Sequence, residues 1–280
     1  GVYRSGLGLT YYSLGQFKRA IRLHKEALDI AREIGDRWGE VVSLGNLGSA
    51  YRAMGQINRA IGYYEQCLAI DHEIGDRRAE SNHLGNLGSA YYAMGQFERA
   101  KEFHELALVI ARKIGNRRGE SYRLLGLGKA LLATGELFKA RQRCAKALAL
   151  DVPETSYQAA LVLGIVLLYQ SDEAARDAFT DAAARCRALL DKTAGLYAPR
   201  YALAAALVGQ AVCDPRWADE SKRDGLLAPA LAEYRRALEN CAAQGVVQDA
   251  LRDLELIRAA GIEGLEPVFE LLESVCAGNS

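Results

Sequence analysis

The residues of this chain that could form or break covalent bonds are few and poorly spaced for it. The six cysteines, Cys67, Cys144, Cys186, Cys213, Cys241 and Cys276, include no CxxC pair, and the four histidines, His24, His72, His83 and His104, no HxxxH pair. Zinc-site and disulfide frameworks have tighter spacings, so free thiols in a reducing, cytoplasmic setting are expected. Neither G-x-S-x-G, nor GxxxxGKS/T, nor HExxH occurs. GLGLTYYSLG (residues 6–15) holds a GxG but no preceding strand, so it is not a dinucleotide loop. A non-enzyme without cofactor or metal is expected. The chemistry left is hydrogen bonding. Asn46 and Asn86 sit in two stretches, LGNLGSAYRAMGQ (44–56) and LGNLGSAYYAMGQ (84–96), that differ only at Arg52 against Tyr92. A side-chain amide donates and accepts at once, which suits a peptide backbone.

The elements that position those amides repeat every forty residues. Gly15, Gly55, Gly95 and Gly135 keep step, as do Gly8, Gly48, Gly88 and Gly128, and Ala20, Ala60, Ala100 and Ala140. Leu28, Leu68, Leu108 and Leu148 form a fourth series. Each unit reads as two helices. The first is predicted from Glu40 to Met54, with Leu44, Leu47, Gly48 and Tyr51 on one buried stripe. Gly55 ends it. The second is predicted from Gln56 to Ile74. The pairs Gly35-Asp36, Gly75-Asp76 and Gly115-Asn116 combine a left-handed helix end with an N-cap, and Glu40, Glu80 and Glu120 follow where the helix dipole favours negative charge. A glycine inside a helix costs about 1 kcal/mol against alanine. The repeated Gly48 is therefore read as a point of close approach to the small Ala60 on the facing helix. No such unit buries its apolar face alone, so the units must stack.

Leu44, Leu47, Gly48, Tyr51, Gly55, Ala60, Tyr64 and Cys67, followed by Leu84, Leu87, Gly88, Tyr91, Gly95, Ala100, His104 and Ala107, resemble the tetratricopeptide repeat. The usual repeat is thirty-four residues and closes with proline. Here the proline is missing and the period is forty. That variant resembles the spindle-orientation adaptors of the Leu-Gly-Asn family, kinesin light chain, and the sensor regions of bacterial STAND ATPases. The resemblance implies an all-α, right-handed superhelical solenoid of TPR helix hairpins.

Residues 1–150 are read as about four regular units, and 151–280 as degenerate repeats and capping helices of the same continuous solenoid. All five prolines lie in the second part. The segment 161–186 keeps one unit, with Gly164 in the small-residue place, and its first helix is apolar nearly all round, so it should be buried on more than one side. Residues 213–227 read as an insertion, followed by a helix that starts at Pro229, then 246–261 and a short helix over 266–275.

Half the residues are hydrophobic and a quarter charged, as in a packed soluble protein. No run of eighteen apolar residues is present, so no membrane span is expected. The chain opens on Gly inside a repeat, which suggests a piece of a larger multidomain protein. The net charge of zero hides 23 Lys and Arg against 15 Asp and Glu in residues 1–150, and 12 against 20 beyond. No Lys/Arg run points to nucleic acid.

Function is then expected on a surface. In a stacked solenoid the first helices line the concave side. The exposed stripe there passes Ser43, Asn46 and Ser49, then Asn82, His83, Asn86 and Ser89, then Tyr122, Arg123 and Lys129. In kinesin light chain and the spindle adaptors an Asn at the place of Asn46 and Asn86 contacts bound peptide. By resemblance these ten residues are the candidate groove for a protein or peptide ligand, with an acidic one as an option. Solvated amides that cap neighbouring helices are the alternative. His24 and His104, in the aromatic place of Tyr64, are read as core. Arg37, Arg77, Arg78, Arg117 and Arg118 form a basic ridge, partly paired with the Glu of the same turns.

Overall fold

The computed structural model describes residues 2–277, with side chains from 6 to 276. Among the described residues there are fourteen α-helices and no strand. By packing, the chain divides into two units, residues 1–130 and 131–280, with the division falling inside one helix.

The first unit contains α1 (Val2–Ser13), α2 (Phe17–Glu33), α3 (Arg37–Ala53), α4 (Ile57–Ile74), α5 (Arg77–Ala93) and α6 (Phe97–Lys113), and most of α7 (Arg117–Ala133). Helices α1 to α6 each pack on the next, as hairpins in series. The turns are set by glycine at every twentieth position from Gly15 to Gly135, with φ between 66° and 77°. Only glycine takes that left-handed geometry without steric cost. Asp36 accepts from the Gly39 amide, Asp76 from those of Arg78 and Ala79, and Asn116 from that of Gly119. The aspartates start α3 and α5 as N-caps, and the first helix of each hairpin begins about three residues earlier than the periodicity suggests. The core of the α3–α5 region is Leu44, Leu47, Tyr51, Tyr64, Cys67, Ile70 and Leu87, each large apolar side chain contributing about 1.5–3 kcal/mol by burial. The outer packing also keeps the period. Arg19 lies over Tyr11, Arg59 over Tyr51 and Arg99 over Tyr91, at 5.5, 5.6 and 5.0 Å from the ring centres.

The helix glycine has a different partner from the one expected. A Cβ at Gly48 would meet not Ala60 but the Tyr64 ring, at 2.5 Å. Gly8 faces His24 and Gly88 faces His104 in the same way. The series is a row of slots for rings. His24 and His104 are buried in them, as a core reading requires.

The second unit holds the end of α7, then α8 (Leu137–Ala149), α9 (Pro153–Tyr169), α10 (Ala175–Lys192), α11 (Tyr197–Val212), a 3-10 turn (Pro215–Ala218), α12 (Glu220–Asn240), α13 (Gln244–Ala259) and α14 (Glu266–Ala277). The ring slot survives here, because Gly164 and Gly209 both face Phe179. One feature departs from the sequence reading. Pro229 lies inside α12 rather than at its start. Both it and Gly225, whose carbonyl loses its amide partner, are exposed, so that carbonyl is left open to solvent and the missing bond is tolerated. Helix α13 packs on α9 and α11 rather than continuing the hairpin series, and α14 packs on α12 and α13. Helix α9 is accordingly buried nearly all round, as its composition requires.

Candidate functional site

One face of the first unit is hollow. A cavity of about 700 Å³ opens between α3, α5 and the start of α7. Its walls follow a simple rule of helix periodicity. Trp38, Val42 and Asn46 come from α3, Arg78, Asn82 and Asn86 from α5, and Arg118 and Tyr122 from α7. Spacing of four residues places each set on one helix face, and spacing of forty aligns the sets. Trp38 stands at the rim, 62% exposed.

Seven of the ten sequence candidates line this cavity: Asn46, Ser49, Asn82, His83, Asn86, Tyr122 and Arg123. Three do not. Ser43 is 1% exposed and belongs to the core. Ser89 is half-buried, with its hydroxyl donating to the Gly85 carbonyl at 3.1 Å, and Lys129 is half-buried away from the cavity. Ser49 donates likewise to the Gly45 carbonyl and accepts from the Tyr64 hydroxyl at 3.3 Å. The Nδ2 of Asn46 is buried and finds no acceptor among the described residues.

The sequence stripe missed the rim residues Trp38, Asp76, Asn116, Arg78 and Arg118 as groove walls. The signal was present for three of them, since Arg78 and Arg118 stand one turn before Asn82 and Tyr122 and Trp38 two turns before Asn46, whereas Asp76 and Asn116 precede the helices. The basic ridge is therefore split. Arg37 pairs with Glu40 and Glu73 and Arg77 with Glu80, whereas Arg78 and Arg118 turn to the cavity. Burial raises the Glu40 pKa, but hydrogen bonds from Arg32 and Arg37 outweigh it and hold the carboxyl below the usual range.

Two large polar side chains reach the cavity floor, one per layer. His83 Nδ1 donates to the buried Asp71 carboxylate at 2.6 Å, and its ring leans over Gly45, where a Cβ would lie 2.7 Å from Nε2. Arg123, forty residues later, leans over Gly85 in the same manner; a Cβ there would overlap the guanidinium. Burial lowers the Arg123 pKa to about 10. It lies close enough to His104 for its charge to add to burial in depressing that imidazole to about 3, while burial takes His24 to about 4. The glycines of both LGN segments are thus floors for the next layer's side chain. That role, and Asp71, escaped the sequence reading.

No group of three or more His, Cys, Asp and Glu among the described residues could hold a metal, and all six cysteines are free. Burial raises the Cys67 pKa, which leaves the thiol protonated and unreactive. No described helix is long and apolar enough to cross a membrane.

No curated protein sequence matches the chain. Solved structures do. BtubC (BKLC) of P. vanneervenii is 19% identical with a TM-score of 0.59, covering 80% of this chain and 90% of that one. A Rap protein solved in complex with Competence and Sporulation Factor is 16% identical with a TM-score of 0.62, over 98% of this chain and 75% of that one. A STAND protein with a tetratricopeptide repeat sensor, from Pyrococcus horikoshii, is 21% identical with a TM-score of 0.59, over 84% of this chain and 36% of that one. At such identities the likeness concerns the fold, a helical solenoid. The tetratricopeptide repeat profile itself matches residues 2–73 and 77–151. Slot glycines, ring positions and turns fall where that pattern requires them, and the chain belongs to the tetratricopeptide repeat family.

Proposed function

We propose that the chain is a binding module whose first unit takes an extended protein or peptide segment in the cavity between α3, α5 and α7. The observation that carries this reading is the lining. Side-chain amides at 46, 82, 86 and 116 share the lining with arginines at 78, 118 and 123, and only one carboxylate, Asp76, stands among them. Amides match a backbone's alternating donors and acceptors. The excess of positive charge favours a segment with acidic residues and speeds its encounter. The module fits the sensor arm of a larger signalling ATPase, where binding would shift the parent between resting and active states. The STAND protein with a tetratricopeptide sensor offers a precedent in the same fold.

A second reading, a scaffold without a groove ligand, draws on the second unit, where α13 of the same chain covers α9 and α11. Selection of a displayed random-peptide library on the immobilised chain separates the two. A binding module enriches peptides whose affinity falls about ten-fold or more in the Asn46→Ala/Asn86→Ala double variant. A scaffold enriches none, or enriches peptides indifferent to both changes.

A further inference from the structure

The layer of His83 and the layer of Arg123 share one geometry but not one chemistry. Each side chain projects from the same register of its helix onto a glycine of the preceding hairpin. His83 meets an acid supplied by the chain itself, Asp71. The residue forty positions after Asp71 is Ala111, fully buried. So the layer that carries the permanent cation lacks the anion that its neighbour has.

Arg123 is 7% exposed. Its Nε is buried without an acceptor, and no carboxylate among the described residues lies within ion-pair distance of the guanidinium. A buried charge left alone is costly, and proteins pair it or coordinate it. Nor is the position an accident of a flexible side chain. Gly85 is what makes room for the guanidinium, at the expense of helix propensity. The one carboxylate on the cavity wall, Asp76, uses its Oδ1 on the amides of Arg78 and Ala79 at the start of α5.

We infer that Arg123 is the receptor for a carboxylate of the bound segment, which enters above Gly85 and supplies the counter-ion that Ala111 leaves out. This assignment rests on the groove reading above and adds the identity of one ligand group and its seat. Planar guanidinium and carboxylate make paired charge-assisted hydrogen bonds. Asn82 and Asn86, on the same wall, are placed to take the flanking backbone amides.

The test uses the full chain and three probes: N-acetyl-triglutamate amide, N-acetyl-triglutamine with a free C-terminus, and N-acetyl-triglutamine amide. The Arg123 Nε–H signal in an arginine-labelled NMR spectrum reports binding directly. The carboxylate probes should shift it and the neutral amide should not. Comparison of the first two tells a side-chain carboxylate from a terminal one. Arg123→Gln should weaken the carboxylate probes about ten-fold or more, with Arg123→Lys intermediate. Ala111→Asp supplies the missing acid internally. It should keep the fold and compete the probes away by a similar factor. The inference is overturned if neither carboxylate probe shifts the signal, or if Ala111→Asp and Arg123→Gln both bind as the parent does. If the neutral probe binds equally well and only the asparagine variants weaken it, the groove reading stands while the Arg123 assignment falls.

Discussion

The first helices of the hairpins meet two different fates. In the first unit, α3, α5 and the start of α7 turn amides, Ser49 and arginines toward an open cavity. In the second, α9 and α11 carry Leu161, Val162, Ile165, Ala204, Ala205 and Val208, all buried, and α13 lies on both helices. The same hairpin thus supports an inner face that is polar and open or apolar and covered. Which of the two a unit adopts is decided by side chains at the registers of Asn46 and Asn86, not by the slots and turns, which both units share. An apolar inner face left open would hold water against hydrocarbon. The chain covers it with its own α13, whose Val247, Ala250, Leu254 and Ile257 are buried.

That contrast can be broken by exchanging stability for binding. Leu254→Ala, on the helix that covers the apolar face, should cost about 2–5 kcal/mol, the usual range for a fully buried leucine, and thermal denaturation followed by circular dichroism reads it. Asn46→Ala/Asn86→Ala, on the open face, should change stability by less than about 1 kcal/mol while weakening selected peptides about ten-fold or more. Equal losses of stability at both faces would show that the first unit's face is structural after all.

A middle-sized effect tests the ring slots. His24 and His104 are neutral in the fold, held well below the ordinary imidazole value by burial. The unfolded chain takes up these protons near pH 6.5 and the folded chain does not until about pH 4 and pH 3. Stability therefore falls as pH drops through that window and is insensitive to these groups above it. His104→Tyr copies the Tyr64 layer, and Ser89 stands where Ser49 accepts the Tyr64 hydroxyl. The variant should flatten part of the acid limb of a plot of Tm against pH. An unchanged limb would contradict the buried neutral imidazole.

The smallest effect concerns the turns. Where the first unit has glycine, the second places Asp151 at φ 47° and Ser171 at φ 52°, again twenty residues apart. A left-handed conformation costs a side-chain-bearing residue about 1–2 kcal/mol, partly offset by the freedom glycine gains when unfolded. Ser171→Gly should raise stability by about 0.5–1 kcal/mol, detectable as a shift in the denaturant midpoint. No shift would mean that the serine makes good the loss by other means.

The sequence disclosed the hairpins because their punctuation is local. A glycine at a turn, or an aspartate accepting from amides two or three residues on, needs no knowledge of the rest of the chain. The open stripe was also legible, because side chains four apart share a helix face whatever they pack against. Other features required a second helix. Asp71 and His83 lie on different helices, and nothing in the order of residues says that their side chains meet. Ser43 and His83 share a register, yet one is core and the other lines the cavity, since serine is too short to reach the preceding hairpin. Gly45 and Gly85 looked like part of a motif, but their reason is a bulky group arriving from the next layer. Pro229 looked like a helix start because only exposure decides whether a missing amide is tolerated.

The near-identity of residues 44–56 and 84–96 carries a further consequence, for the gene rather than the protein. A crossover between those stretches removes or adds forty residues at once, and the seam falls on a turn that already ends in the same Met-Gly-Gln. Removing 57–96 joins Gln56 to Phe97, just where Gln96 stood, with every slot and cap still in register. The length of the cavity-lined face is in that sense a heritable variable that changes in whole steps of one hairpin.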